Sequence, residues 1–152
     1  MNYKEALSRL QDLCSKSERC EKDILDKLRA WNFQGDARPI IDSLKQDKFI
    51  DEERYTRAFV NDKIKFSAWG KNKILFTLKS KGIKEAIVKS YLGDYPIEDY
   101  IKRVEHEIIK KNRDIREENP YKRKQKLLAF AFQRGYENEI VYDFIDSITG
   151  IE

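Results

Sequence analysis

The sequence predicts an all-α protein, an elongated tandem array of three three-helix repeats. Six glycines and three prolines occur in 152 residues, which favours helices joined by few turns. Apolar residues make up 40% of the chain, which is too many for a disordered polymer although the charged fraction reaches 38%. One helical pattern then recurs at intervals of about 50 residues, and such a period is typical of repeat proteins.

Three short helices of one pattern are predicted to end at Asn32, Gly82 and Gly135. Each has an adjacent apolar pair near its start and a basic residue near its end. Asn and Gly best tolerate the left-handed backbone that closes a helix. A longer amphipathic helix precedes each copy and another apolar helix follows it, so each repeat is expected to hold three helices. A unit of this size buries little apolar surface, so neighbouring repeats are expected to stack end to end.

The same pattern predicts the repeat boundaries. Repeat 1 covers residues 1–50, repeat 2 covers residues 51–96 and repeat 3 covers residues 97–152. Because the junctions are short, we do not expect flexible linkers. The polar stretch 113–126 around Pro120 is where the chain is expected to be most mobile.

Positive charge is concentrated in repeat 2. The chain has a formal net charge of +4, and repeat 2, with ten basic and six acidic residues, carries the same net charge. Clustered lysines attract phosphates by releasing counterions, which predicts a nucleic-acid or mixed protein–nucleic-acid surface; a solvated helix face is the alternative. Between residues 63 and 81 there is no acid, and the six lysines are Lys63, Lys65, Lys71, Lys73, Lys79 and Lys81.

Two further features extend this candidate partner- or DNA-binding surface. Trp69 precedes Gly70 at a predicted helix start, where its ring either stacks on a base or partner, or braces two helices in the core. A second basic run contains Lys122, Arg123 and Lys124. It either continues the basic surface across the repeat junction or forms a mobile polar loop and solvated helix.

The sequence predicts neither an enzyme nor a metal or cofactor site. The single histidine, His106, has acidic neighbours but no nucleophile at a recognisable spacing. No glycine-rich phosphate loop, hydrolase motif or zinc-binding set occurs. The acids of Asp51–Glu53 are interpreted as helix-capping residues, since carboxylates are stabilised at helix N-termini.

Cysteine usage and hydropathy predict a cytoplasmic protein. Cys14 and Cys20 fall on ordinary helical positions and are expected to be reduced. The amphipathic N-terminal segment does not read as a secretory signal, and no apolar run reaches the ~18 residues of a membrane span. We expect a monomer, because the apolar stripes are used up between the helices.

Four ordered motifs in residues 49–83 carry a family resemblance. They are Phe-Ile-Asp-Glu-x-Arg-Tyr at 49–55, Ala-Phe-Val at 58–60, Trp-Gly at 69–70, and a Lys-Gly-Ile helix end at 81–83. Each is common alone, but the ordered set over about 35 residues is far more specific. The stretch resembles the central repeat of the RecX family, whereas the flanking repeats are matched by pattern.

The resemblance implies a bacterial regulator of the RecA recombinase in DNA repair, recombination and the SOS response. Members of the family bind the RecA filament on single-stranded DNA and dampen its ATP hydrolysis, strand exchange and co-protease activity. The same resemblance implies that repeats 2 and 3 face the filament, with weak direct DNA binding. Two alternatives stay open: a general helical nucleic-acid-binding module without a recombinase partner, and a protein adaptor for which DNA is irrelevant.

Overall fold

The structure is a computed structural model and describes residues 1–151. These residues contain helices and no strand, so the all-α prediction is confirmed. The helices are α1 Tyr3–Lys16, α2 Glu21–Ala30, α3 Arg38–Gln46, α4 Glu52–Lys65, α5 Lys71–Ser80, α6 Glu85–Asp94, α7 Ile97–Asp114, α8 Pro120–Arg134 and α9 Asn138–Thr149.

The helices are arranged as three consecutive groups of three. Repeat 1 contains α1 to α3, repeat 2 contains α4 to α6, and repeat 3 contains α7 to α9. Within residues 1–151, every hydrogen bond and ion pair between repeats joins repeat 1 to repeat 2 or repeat 2 to repeat 3. The tandem order of three three-helix repeats is therefore confirmed.

The middle helix of each repeat ends in the left-handed conformation. Asn32 has a φ of 55°, and Gly82 and Gly135 each have a φ of 86°. The recurring Asn or Gly at these positions was the strongest sign of a repeat in the sequence, and its physical reason is confirmed. A residue with a positive φ lets the chain reverse immediately into the third helix of the repeat.

The core is divided unequally among the repeats. Repeat 1 has a hydrophobic cluster of its own, in which Leu10 and Ile24 are fully buried. A second cluster runs without interruption from repeat 2 into repeat 3 and includes Ile74 and Ile108. Cys20, from the start of α2, belongs to this second cluster. Repeats 2 and 3 thus share one core, against which repeat 1 packs with the start of α2.

The polar stretch 113–126 is mostly helical, because α8 already begins at Pro120; the mobility expected there stays a prediction. The side chain of Asn119 accepts hydrogen bonds from the N–H groups of Tyr121 and Lys122, at 3.0 and 3.1 Å. Pro120 occupies the first helical turn, where its missing N–H costs little. An Asn–Pro pair is a helix start signal, and it places the second basic run on α8.

Both cysteines are free and buried. Burial is the largest cause of a raised pKa at the thiols of Cys14 and Cys20. A thiol with a raised pKa carries little thiolate at neutral pH and is a poor nucleophile. The two side chains therefore act as small apolar core groups.

Candidate nucleic-acid and partner interface

The Trp69–Gly70 break is the point where repeat 2 meets repeat 3. The N–H of Gly70 donates to the carbonyl of Arg134 at 2.6 Å, and the N–H of Asn72 donates to the carbonyl of Gly135 at 3.0 Å. A methyl group on Gly70 would overlap the Gly135 carbonyl, and one on Gly135 would overlap Lys73. The start of α5 and the end of α8 therefore cross backbone to backbone, which only glycine permits on both sides.

Two buried tyrosines hold this crossing in place. Tyr136 donates its hydroxyl proton to the carbonyl of Ala68 at 2.7 Å. The hydroxyl oxygen of Tyr100 accepts a hydrogen bond from the N–H of Lys71 at 2.9 Å and is also hydrogen-bonded to the Glu137 carboxylate. Burial raises the pKa of Tyr136 to about 12 and also raises the pKa of Tyr100. Both hydroxyls stay protonated at neutral pH, so these contacts fix how repeat 3 sits on the basic stretch.

Trp69 is half-buried and braces two helices, whereas stacking on a base or partner stays a prediction. Its ring packs edge-on against Phe59, with centroids 5.9 Å apart, which braces α4 against the start of α5. The ammonium groups of Lys63 and Lys73 lie 4.9 and 4.2 Å from the centroid of the indole ring. Cations over an aromatic face are attracted by its quadrupole. The ring thereby gathers two of the predicted lysines at one place on the surface.

Five of the six predicted lysines are exposed or partly exposed on repeat 2. The ammonium of Lys71 lies 4.8 Å from the Tyr100 ring centroid, at the junction with repeat 3. Lys65 and Lys79 are exposed, and Lys79 is 3.7 Å from Glu85, an ion pair that solvent screens strongly. We refer to the following set as the basic face: Lys63, Lys65, Lys71, Lys73 and Lys79.

Lys81 is engaged at the junction of repeats 1 and 2. Its ammonium group lies 2.9 Å from a carboxylate oxygen of Asp23, and both side chains are about three-quarters buried. Burial alone would raise the pKa of Asp23, but hydrogen bonds from Lys81 and from the Cys20 N–H lower it overall. Burial of Lys81 likewise opposes its charge, yet its hydrogen bonds to Asp23 and Tyr55 raise its pKa. Lys81 therefore serves first to hold repeats 1 and 2 together through its ion pair with Asp23, which we call the clasp.

This clasp predicts an acid-sensitive junction. Because the folded-state pKa of Asp23 lies below its ordinary value of 3.8, the stabilisation is present above about pH 4 and is lost as the pH falls through the lowered pKa. We expect Asp23→Asn to reduce the unfolding free energy at pH 7 by about 1 kcal/mol, and to reduce it by less at pH 3. Urea unfolding at both pH values measures this difference.

The control for this prediction is Asp12→Asn. Asp12 pairs with Lys16 at 3.0 Å, but both side chains are about two-thirds exposed, so this ion pair contributes little. An Asp12→Asn variant with the same pH-dependent loss as Asp23→Asn would contradict the clasp.

In the second basic run, Arg123 and Lys124 make contacts within repeat 3, whereas Lys122 is exposed. Arg123 donates to the carbonyls of Asn112, Ile115 and Glu117 at 2.8, 3.1 and 2.5 Å, so it caps the end of α7. Lys124 pairs with Asp146 on α9 at 2.6 Å. Lys122 alone of the three predicted residues is exposed. Within residues 1–151, no hydrogen bond or ion pair joins this run to the basic face.

Sequence reasoning missed the residues that matter at long range. Gly135 and Tyr136 form the crossing with Gly70, although they lie about 65 positions further along the chain, and no local signal indicates that pairing. Phe66 and Phe76 are also unexpected, because both are large apolar residues that remain exposed. For Phe76 a signal existed, since it lies on the side of α5 opposite the buried residues Ile74 and Leu78.

Residues 1–151 give little support for a metal site, a catalytic histidine or a membrane-spanning helix. Residues 1–151 contain no group of three or more His, Cys, Asp or Glu side chains placed to hold a metal ion. His106 is exposed on α7. Asp51 caps α4 by accepting a hydrogen bond from the Arg54 N–H at 2.9 Å, which confirms the capping interpretation. None of the helices in this part is both long and apolar enough to cross a membrane.

Family profiles match the basic face and the repeat that docks against it. The profile described as RecX, second three-helix domain, matches residues 51–92, and the profile described as RecX, third three-helix domain, matches residues 98–145. The two matches together cover more than half of the chain. The chain belongs to the RecX family. The resemblance carried by residues 49–83 is thereby confirmed, and it extends into repeat 3.

Curated RecX relatives and solved RecX structures agree with this assignment. The regulatory protein RecX of Clostridium acetobutylicum is 33% identical over 140 residues, which is 89% of this chain and 64% of the relative. The regulatory protein RecX of Clostridium perfringens is 28% identical over 144 residues, covering 90% of this chain and 65% of the relative. This chain thus spans just under two thirds of the length of these relatives.

A crystal structure of regulatory protein RecX matches 94% of this chain and 72% of its own, with a TM-score of 0.83 at 26% identity. A crystal structure of RecX from Lactobacillus salivarius matches with a TM-score of 0.69 at 22% identity, covering 96% of both chains. At that identity the second likeness concerns the fold alone. Both support the tandem helical repeats described above.

Proposed function

We propose that this chain regulates the RecA recombinase by binding the RecA filament on single-stranded DNA. The observation that carries the proposal is the position of the basic face in repeat 2, which is one of the two repeats matched by the RecX profiles. Curated relatives are named regulatory proteins, and the proposal takes this chain to be a non-catalytic regulator in the cytoplasm. Binding slows ATP hydrolysis and, with it, strand exchange and co-protease activity.

The shared core of repeats 2 and 3 supports this role physically. A filament presents the same surface at regular intervals, and a row of repeats offers an extended surface to match it. Because the glycine crossing and the two buried tyrosines fix repeat 3 against α5, the two repeats approach a partner as one body. The lysines of the basic face then meet phosphates or acidic side chains in a fixed arrangement, which favours specificity over simple charge attraction.

Charge reversal of the basic face tests the proposal. We expect the triple variant Lys71→Glu, Lys73→Glu, Lys79→Glu to bind the filament at least about tenfold more weakly, because three attractive contacts become repulsive. The measurement is RecA ATP hydrolysis on single-stranded DNA during titration with the parent chain or the variant. The parent should slow hydrolysis with increasing dose, and the variant should not. Circular dichroism checks that helicity is retained.

A matched control separates the basic face from total charge. Lys4, Lys22 and Arg29 are exposed residues of repeat 1, and reversing all three changes the net charge by the same amount. This control variant should slow ATP hydrolysis as the parent does. Equal loss in both triple variants would show that net charge, not the basic face, governs binding. No slowing by the parent at any dose would favour the alternative of a nucleic-acid-binding module without a recombinase partner.

A further inference from the structure

Two phenylalanines of repeat 2 project into solvent. Phe76 is 76% exposed and Phe66 is 71% exposed, and they are the most exposed large apolar side chains in residues 1–151. A lone exposed apolar residue is ordinary in a folded protein. These two, however, both fall in the segment from residue 63 to residue 81 that contains six lysines and no acid. An apolar ring surrounded by positive charge suits a ligand that is both aromatic and anionic.

The helical geometry places Phe76 in the middle of the outward side of α5. Its buried neighbours Ile74 and Leu78 both lie about half a turn away, on the opposite side of the helix. The residues one turn before and after it, which flank the ring on the surface, are Asn72, Lys73, Lys79 and Ser80. All four are polar, and two carry positive charge. The ring of Phe76 is thus framed by groups that donate hydrogen bonds or attract phosphates.

Phe66 lies near the other end of the basic segment and also has a lysine beside its ring. It is the C-cap residue that follows α4, and the ammonium group of Lys65 lies 5.3 Å from its ring centroid. Trp69, three residues on, is only half-buried and is flanked by the cations of Lys63 and Lys73. Aromatic rings therefore interleave with the lysines from residue 66 to residue 76.

We propose that Phe66 and Phe76 are base-stacking residues of a site for single-stranded nucleic acid on repeat 2. This pattern combines the two features of sequence-independent single-strand binding, a positive surface that follows the phosphates and aromatic rings that stack on the bases. A duplex hides the faces of its bases, so it engages the lysines but not the phenylalanines. The site needs no recombinase, and it therefore stands apart from filament binding.

Binding of bare DNA tests this assignment. The probes are a fluorescently labelled oligothymidine of about 16 nucleotides and a duplex of the same length, titrated with the whole chain at low and moderate salt. Phe66→Ala and Phe76→Ala should each weaken binding to the single strand by roughly 5- to 150-fold and leave duplex binding unchanged. The dependence on salt should keep its slope, because neither substitution removes a charge. Both side chains are exposed, so the variants should fold normally.

Phe132→Ala is the matched control, since Phe132 is also exposed, at 43%, but lies near the end of α8. It should bind the single strand as the parent does. The assignment is overturned if the phenylalanine variants bind the single strand like the parent, or lose single strand and duplex equally. It is also overturned if the variants lose only their effect on RecA ATP hydrolysis, because the rings would then contact protein. If the parent chain has no effect on RecA, the binding of bare DNA still decides whether Phe66 and Phe76 are base-stacking residues.

Discussion

Gly135→Ala should lower the unfolding free energy by at least about 3 kcal/mol. Gly135 has a φ of 86°, where a side chain is strained, and a methyl group there would overlap Lys73 at the start of α5. The overlap involves backbone atoms as well as the Lys73 Cβ, so no flexible side chain can move to relieve it. The repeat 2–repeat 3 crossing would have to open and release the hydrogen bond from Asn72. Urea unfolding monitored by circular dichroism measures the loss.

The chain provides its own control for this prediction in Gly82. Gly82 also has a φ of 86°, but nothing lies within 4 Å of the position a methyl group would occupy. Gly82→Ala therefore includes the cost of the left-handed backbone without the collision, and should lower the unfolding free energy by only about 1 kcal/mol. Equal losses in the two variants would contradict a backbone-to-backbone crossing at Gly135.

Arg123→Ala is expected to have the second largest effect, a loss of about 2 to 3 kcal/mol. Its guanidinium group donates to three backbone carbonyls and to the side chain of Asn112, which together close the end of α7 and hold the turn before α8. When these carbonyls lose a charged hydrogen-bond donor, hydrogen bonds to water restore only part of the lost stabilisation. Urea unfolding gives the size of the effect.

Arg123→Lys separates this structural role from the charge. A lysine keeps the positive charge, but a single ammonium group cannot reproduce the planar fork that reaches all these acceptors. We expect Arg123→Lys to lose most of the same stability, whereas Lys122→Ala, at an exposed neighbour, should change stability by less than about 0.5 kcal/mol. If Arg123→Lys is as stable as the parent, Arg123 serves as a surface charge and not as a helix cap.

Helix caps and helix ends predicted the repeat architecture, because each depends on residues only a few positions apart in the sequence. Asn32, Gly82 and Gly135 are needed wherever a helix ends in the left-handed conformation, so their spacing indicated the period directly. The acidic cap at Asp51 followed from the same kind of short-range rule. The beginning of α8 at Pro120 was readable from the Asn–Pro pair but was outweighed by the polar composition of the stretch.

The candidate site was predictable in its charge but not in its contacts. A stretch of sequence with several lysines and no acidic residue indicates a basic surface. It does not reveal which of those lysines form ion pairs with residues elsewhere in the chain. Lys81 meets Asp23 from a different repeat, 58 residues earlier, and Arg123 turns back to cap α7. Such pairings depend on how repeats pack on one another, and packing across long sequence separations leaves no local pattern. The basic face remains the predicted binding surface, with Lys81 and Arg123 in structural positions.

The most direct test of the central claim compares the affinity of this chain for two targets, the RecA filament on single-stranded DNA and the same DNA bare. We predict at least about tenfold tighter binding to the filament, lost in the Lys71→Glu, Lys73→Glu, Lys79→Glu variant and retained in the Lys4→Glu, Lys22→Glu, Arg29→Glu control. Equal affinity of the parent chain for filament and bare DNA would contradict the account, because the recombinase would then contribute nothing to recognition.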